Sequence, residues 1–119
     1  KNHLAEGGVV AQNVEPSTML FDSAVKTMQA VFRHVDFYET GGNIVSIAFE
    51  GAARSSEELG RVARERQAAF RLRYALEPML RHRRRLVADT IDPKAKLLTD
   101  DFAPVETLKA IERHNRKWN

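Results

Sequence analysis

The chain has 119 residues, of which 43% are hydrophobic and 29% charged, and it carries a net charge of +3. That is the composition of one small globular domain. The absence of cysteine excludes disulfide staples, thiolate zinc sites and cysteine nucleophiles, and it fits a reducing, cytoplasmic setting. No apolar run approaches the roughly 18 residues needed to span a bilayer, and no secretory pattern opens the chain. The excess of positive charge is too small to imply nucleic acid by itself.

The first residues read as the end of a helix closed by the Gly7-Gly8 pair. A piece of a longer chain is therefore expected. Val9 to Gln12 follows as a short apolar strand. Pro16, Ser17 and Thr18 read as a helix start, because proline tolerates the first turn and hydroxyls cap orphan N–H groups. Phe21, Ala24, Val25, Met28, Val31 and Phe32 then recur at helical spacing, predicting a helix that ends near Arg33.

His34–Tyr38 and Asn43–Phe49 read as an antiparallel hairpin around "ETGGN", whose glycines permit the reversal. The second run, "NIVSIAF", is nearly continuous in apolar character and belongs inside the sheet, with the first run nearer the edge. "SSEE" at Ser55 to Glu58 resembles a helix entry with acids in the positive first turn. A long arginine-rich helix is expected from there to about Leu76, with Leu59, Val62, Ala63, Phe70 and Tyr74 on its apolar side and Pro78 ending or kinking it. A second basic stretch, "RHRRR", spans Arg81 to Arg85. "DTIDPKAKLLTDDFAP" reads as a proline-punctuated linker. A last helix is expected from Pro104, with Val105, Leu108 and Ile111 in its stripe.

Few residues carry a recognisable chemistry. Gln12 stands at the carboxyl end of its strand, where open α/β sheets bind ligands, and its amide can accept from an ammonium. Glu15 and Glu39 can supply the negative charge a polyamine needs, and Tyr38 an aromatic face. Asp100 and Asp101 could act as paired carboxylates. They also stand just before a helix N-terminus, where short acids cap. The histidines show no zinc-ligand spacing, so no metal is assigned. No serine lies in a glycine-flanked nucleophile elbow. Ten arginines fall between Arg54 and Arg85, a set that can bind phosphates. Interspersed glutamates, with Arg61–Glu65 and Arg73–Glu77 four apart, suit a solvated or oligomer-facing helix instead. Nucleic acid is not the expected partner.

"EGGVVAQNVEP", the helix after it and "HVDFYETGGNIVSIAFEG" together resemble the late catalytic-domain region of spermidine synthases and related aminopropyltransferases. Gly7, Val10, Ala11, Gln12 and Pro16 match the pattern. "LLTDDFAPVE" is similar to the "LTDD-x-x-PVE" tail of spermidine-synthase-like proteins, orphan and membrane-fused members included. The resemblance implies an α/β fold: the C-terminal part of a methyltransferase-like Rossmann sheet (strand, helix, antiparallel hairpin) followed by a helical tail. Residues 1–50 would end the catalytic domain and residues 51–119 form the helical C-terminal extension. In the intact parent it implies aminopropyl transfer from decarboxylated S-adenosylmethionine, as co-substrate, to an amine. Gln12, Glu15 and Tyr38 would border the amine. The nucleoside loop and the catalytic aspartate would lie upstream of residue 1, leaving no catalytic residue in this segment. A homo-oligomer or a missing amino-terminal half would complete the core.

The sequence departs from the family in two places. Polyamine-making members carry a proline–tyrosine–proline loop where this chain has "YETGGN", and the acid that follows the family's glutamine is displaced to Glu15. A degenerate family member, a methyltransferase on the same fold and an arginine-rich phosphate- or nucleic-acid-binding helical module all stay open as alternatives.

Overall fold

The computed structural model describes residues 2–17, 20–84 and 91–99. Their centre is a four-stranded sheet in a mixed α/β arrangement. Strand β1 (Val9–Val14) leads through helix α1 (Phe21–Val31) to β2 (His34–Thr40) and β3 (Asn43–Phe49). Helix α2 (Ser56–Phe70), a 3-10 turn η1 (Glu77–His82) and the two-residue strand β4 (Arg83–Arg84) follow. The strand order is β1-β3-β2-β4. Strand β3 pairs antiparallel with both β1 and β2, so β1 and β2 run in the same direction with β3 inserted between them.

The β2–β3 turn has a local cause. Thr40 pairs with Asn43, leaving a two-residue loop in which Gly41 and Gly42 both take positive φ, 52° and 94°. Turns of that hand match the twist of the strands and exclude most other residues. The apolar run of β3 is inside the sheet, as its sequence predicts, and among the described residues only the short β4 lies beyond β2.

The core forms where strand alternation meets the α1 stripe. Ile44, Ser46 and Ala48 of β3 are buried, and so are Phe37 of β2 and Val14 of β1. In register these residues share one face of the sheet. Ala24, Val25 and Met28 of α1 are buried, and Val25 and Met28 cluster with residues of that face. The buried Ser46 hydroxyl donates to the Gln12 carbonyl at 3.2 Å, so it costs no unpaired polar group. Residues 91–98, expected as a linker, lie along α1. Lys26 Nζ donates to the Pro93 and Ala95 carbonyls at 2.9 and 2.8 Å, Leu98 N–H to Thr27 Oγ1 at 2.8 Å, and Ile91 packs on the core.

Several expectations need correction. Residues 2–8 form turns rather than a helix end, closed by Gly8 N–H on the Ala5 carbonyl at 2.9 Å. Strand β1 runs on to Val14, because its pairing with β3 continues to Ile44. Helix α1 starts at Phe21 with Leu20 as its N-cap, and Ser17 donates to Glu15 at 2.6 Å instead of capping it. Helix α2 ends at Phe70 instead of continuing to Leu76. Arg71 turns left-handed (φ 47°) and the chain folds back so that η1 packs on α2. Gly60 and Ala63 make the buried seam of α2, while Phe70 and Tyr74, expected on its apolar side, are exposed. The "SSEE" entry is a complete capping box, with Ser55 and Glu58 bonding each other's backbone N–H. Asp100, Asp101 and the helix expected from Pro104 lie outside the described residues.

Candidate functional site

The sheet presents two places where side chains of chemical interest gather. One is the rim at the carboxyl ends of β1 and β2, which point the same way. Gln12, Asn13 and Glu15 stand at the end of β1, and Tyr38, Glu39 and Thr40 at the end of β2. Cross-strand pairing sets Val14 and Glu39 on either side of Ile44, and Asn13 and Tyr38 on either side of Val45. The Gln12 side chain is exposed and shares the α1 side with Val10 and Val14. Glu15 is exposed and accepts the Ser17 hydroxyl.

The other place is the face opposite α1, where His34, Asp36 and Tyr38 of β2 alternate outward from the core set. There Arg83 of β4 pairs with Asp36 at 2.9 Å, and both side chains are only 21% exposed. Arg83 also donates to the Arg54 carbonyl at 3.2 Å and to Ser56 Oγ at 3.5 Å, so one guanidinium ties β2 to the start of α2. The fork geometry of arginine suits such multiple acceptance. A cavity of about 600 Å3 opens on this face. Ile47, Phe49 and Leu59 supply apolar wall, and Asp36, Tyr38 and Arg54 contribute polar groups. A second cavity of about 680 Å3 shares Asp36 and Arg54 and adds His34, Ser55 and Arg83.

Burial pushes the Tyr38 phenol above its ordinary value, with the Asp36 carboxylate adding to the rise and Arg83 opposing it. Its hydroxyl is therefore neutral throughout the physiological range, able to donate and accept. Beside it, Asp36 offers a carboxylate whose charge Arg83 already compensates.

The sequence-predicted residues are thus not gathered in one pocket. Gln12 and Glu15 share the β1 end, whereas Tyr38 lies across β3 on the opposite face and lines the cavity there. Glu39 lies in β2 rather than in the turn, and Arg84 approaches it at 3.5 Å. The Arg61–Glu65 pair forms as expected, at 2.8 Å. Arg73 does not take Glu77, which is held by Arg64; Arg73 instead lies over the Tyr74 ring at 5.6 Å. Asp36 and Arg83 were not legible as a pair, since 47 positions separate them. The available hint was an acid between Val35 and Phe37 in a strand, which requires a partner where it is shielded from water.

Among the described residues, no group of three or more histidine and acidic side chains could hold a metal ion, and no helix is long and apolar enough to cross a membrane. Comparison of the chain with protein-family models, with curated proteins and with solved structures finds no match in any of the three.

Proposed function

We propose that this chain is the carboxyl-terminal part of a spermidine-synthase-like protein with a methyltransferase-like sheet, and that the intact parent transfers an aminopropyl group from decarboxylated S-adenosylmethionine to an amine. The observation that carries this reading is the insertion of β3 antiparallel between the parallel β1 and β2, joined to the glycine–strand–glutamine–proline pattern of Gly7, Gln12 and Pro16. Among the described residues β1 is paired on one side by β3, so its outer edge could take a neighbouring strand from the rest of the parent or from a second copy.

In the transfer, the amine nitrogen forms a bond to the carbon beside the sulfonium, the carbon–sulfur bond breaks, and a neutral thioether leaves. The amine's surplus proton passes to a carboxylate in the parent outside these residues. The leaving group needs little assistance, so orientation and deprotonation dominate. Gln12 and Glu15, at the carboxyl end of β1, would hold the amine side. A cytoplasmic setting belongs to the same proposal.

A degenerate member with a binding role is the second reading, favoured by the Gly41-Gly42 turn in place of a proline–tyrosine–proline loop and by the approach of Arg84 to Glu39. The arginine-rich module gains less support, since Arg61, Arg64, Arg83 and Arg84 all face acids. The test is an assay of the parent protein with decarboxylated S-adenosylmethionine and a panel of diamines and polyamines. Release of methylthioadenosine with at least one amine is expected. Nucleoside binding without turnover would select the degenerate reading. Methyl transfer from S-adenosylmethionine would select the methyltransferase, and failure to bind either nucleoside would overturn the family reading.

A further inference from the structure

The reversal after α2 leaves apolar side chains in water. Arg71 takes a left-handed conformation, and Gln67 fastens the loop that follows. Its amide donates to the Leu72 carbonyl at 2.8 Å and accepts the Leu76 N–H at 3.0 Å. The Gln67 side chain thus holds the loop by its backbone, and the loop's large side chains take no part in a core. Phe70 and Tyr74 are each 63% exposed, Met79 on the adjoining η1 is 47% exposed and Leu72 39%. Arginines accompany them. Arg66 lies over the Phe70 ring at 5.8 Å and Arg73 over Tyr74 at 5.6 Å. From Arg66 to Leu76 there is no acid, and the nearby Glu77 is held by Arg64.

We propose that this α2–η1 loop is a docking surface for an anionic lipid bilayer, with Phe70, Leu72, Tyr74 and Met79 entering the headgroup region and Arg66, Arg71 and Arg73 meeting the phosphates. The charge complementarity is one-sided. Aromatic rings settle at the headgroup level, and guanidinium forks match lipid phosphates. Leu72 and Met79 favour a bilayer over a nucleic acid, because an aliphatic side chain offers bases no face to stack on. The surface is peripheral and independent of the amine-transfer reading.

The test is flotation of the full chain with vesicles of phosphatidylcholine containing about one-third phosphatidylserine, against phosphatidylcholine alone. Binding to the anionic vesicles that weakens as salt rises is expected. R71N/R73Q, with asparagine chosen because it tolerates the left-handed conformation, should lower vesicle affinity about 30-fold. F70S/Y74S should lower it by at least about tenfold at unchanged circular dichroism. Equal binding to neutral vesicles, no binding at low salt, indifference to both pairs of substitutions, tighter binding of poly(U) than of vesicles, or burial of the patch by self-association would each overturn the proposal.

Discussion

The two faces of the sheet solve different problems with the same three strands. Against α1, Val14, Phe37, Ile44 and Ala48 are buried around Val25 and Met28, and the buried Ser46 among them is internally bonded. On the opposite face the same alternation presents Asp36 and Tyr38, and the chain returns from 47 positions away to place Arg83 against Asp36. The first face holds the fold by area. The second is held by one shielded ion pair and stays partly open as a cavity. The difference teaches where substitution should cost stability and where it should alter the chemistry of a surface.

The largest effect should come from the dry face. Phe37→Ala removes a ring that is 2% exposed and should cost about 4 kcal/mol in denaturant unfolding. A loss below about 1 kcal/mol would mean that the two faces are equally soft. On the open face, Asp36→Asn strips Arg83 of its charge partner. Because the pair is neither fully buried nor free in water, a loss of about 2 kcal/mol is expected. The double variant with Arg83→Met should recover part of it; strict additivity of the two changes would break the claim that they act as a pair.

Smaller effects lie at the edges of both faces. Ser55→Ala should cost about 1 kcal/mol by removing the α2 cap. The reciprocal bonds from Ser55 hold Glu58 below its ordinary 4.5. Its contribution is therefore complete above that value and lost as pH falls through the lowered one. The wild type should lose the Glu58 part of its stability only below pH 4.5, and Glu58→Gln should flatten that acid limb. Tyr38→Phe should change stability at neutral pH by less than about 0.5 kcal/mol. Since burial raises the phenol above 10.0, the neutral form stabilises the fold below that pH, and the benefit disappears as pH rises through the raised value. An alkaline unfolding limb that survives unchanged in Tyr38→Phe would place its origin elsewhere.

What the sequence made legible follows the same division. The α1 stripe, the interior character of "NIVSIAF" and the glycine reversal are local patterns, and local patterns announce themselves through spacing. The Asp36–Arg83 pair, the β4 strand that carries Arg83 and the docking of residues 91–98 on α1 depend on contacts between distant segments, which spacing does not encode. The end of α2 was misread because Phe70 and Tyr74 extend its apolar stripe on paper, while a left-handed Arg71 and the two bonds of Gln67 turn the chain before Tyr74 can join it. Of the candidate residues, Gln12 falls in the carboxyl-terminal half of β1 and Glu15 directly after it, a placement that local spacing could suggest. The separation of Tyr38 onto the other face follows from β2–β3–β1 register, which requires the strand order.

The most direct measurement is Gln12→Ala in the parent protein, comparing the amine KM with the Kd of the adenosyl ligand. A residue at the amine side of the rim should raise KM by about tenfold, the loss of one charge-assisted hydrogen bond, and leave the adenosyl Kd within about twofold. Equal shifts in both constants, or no shift in either, would contradict a role for this strand end in holding the amine.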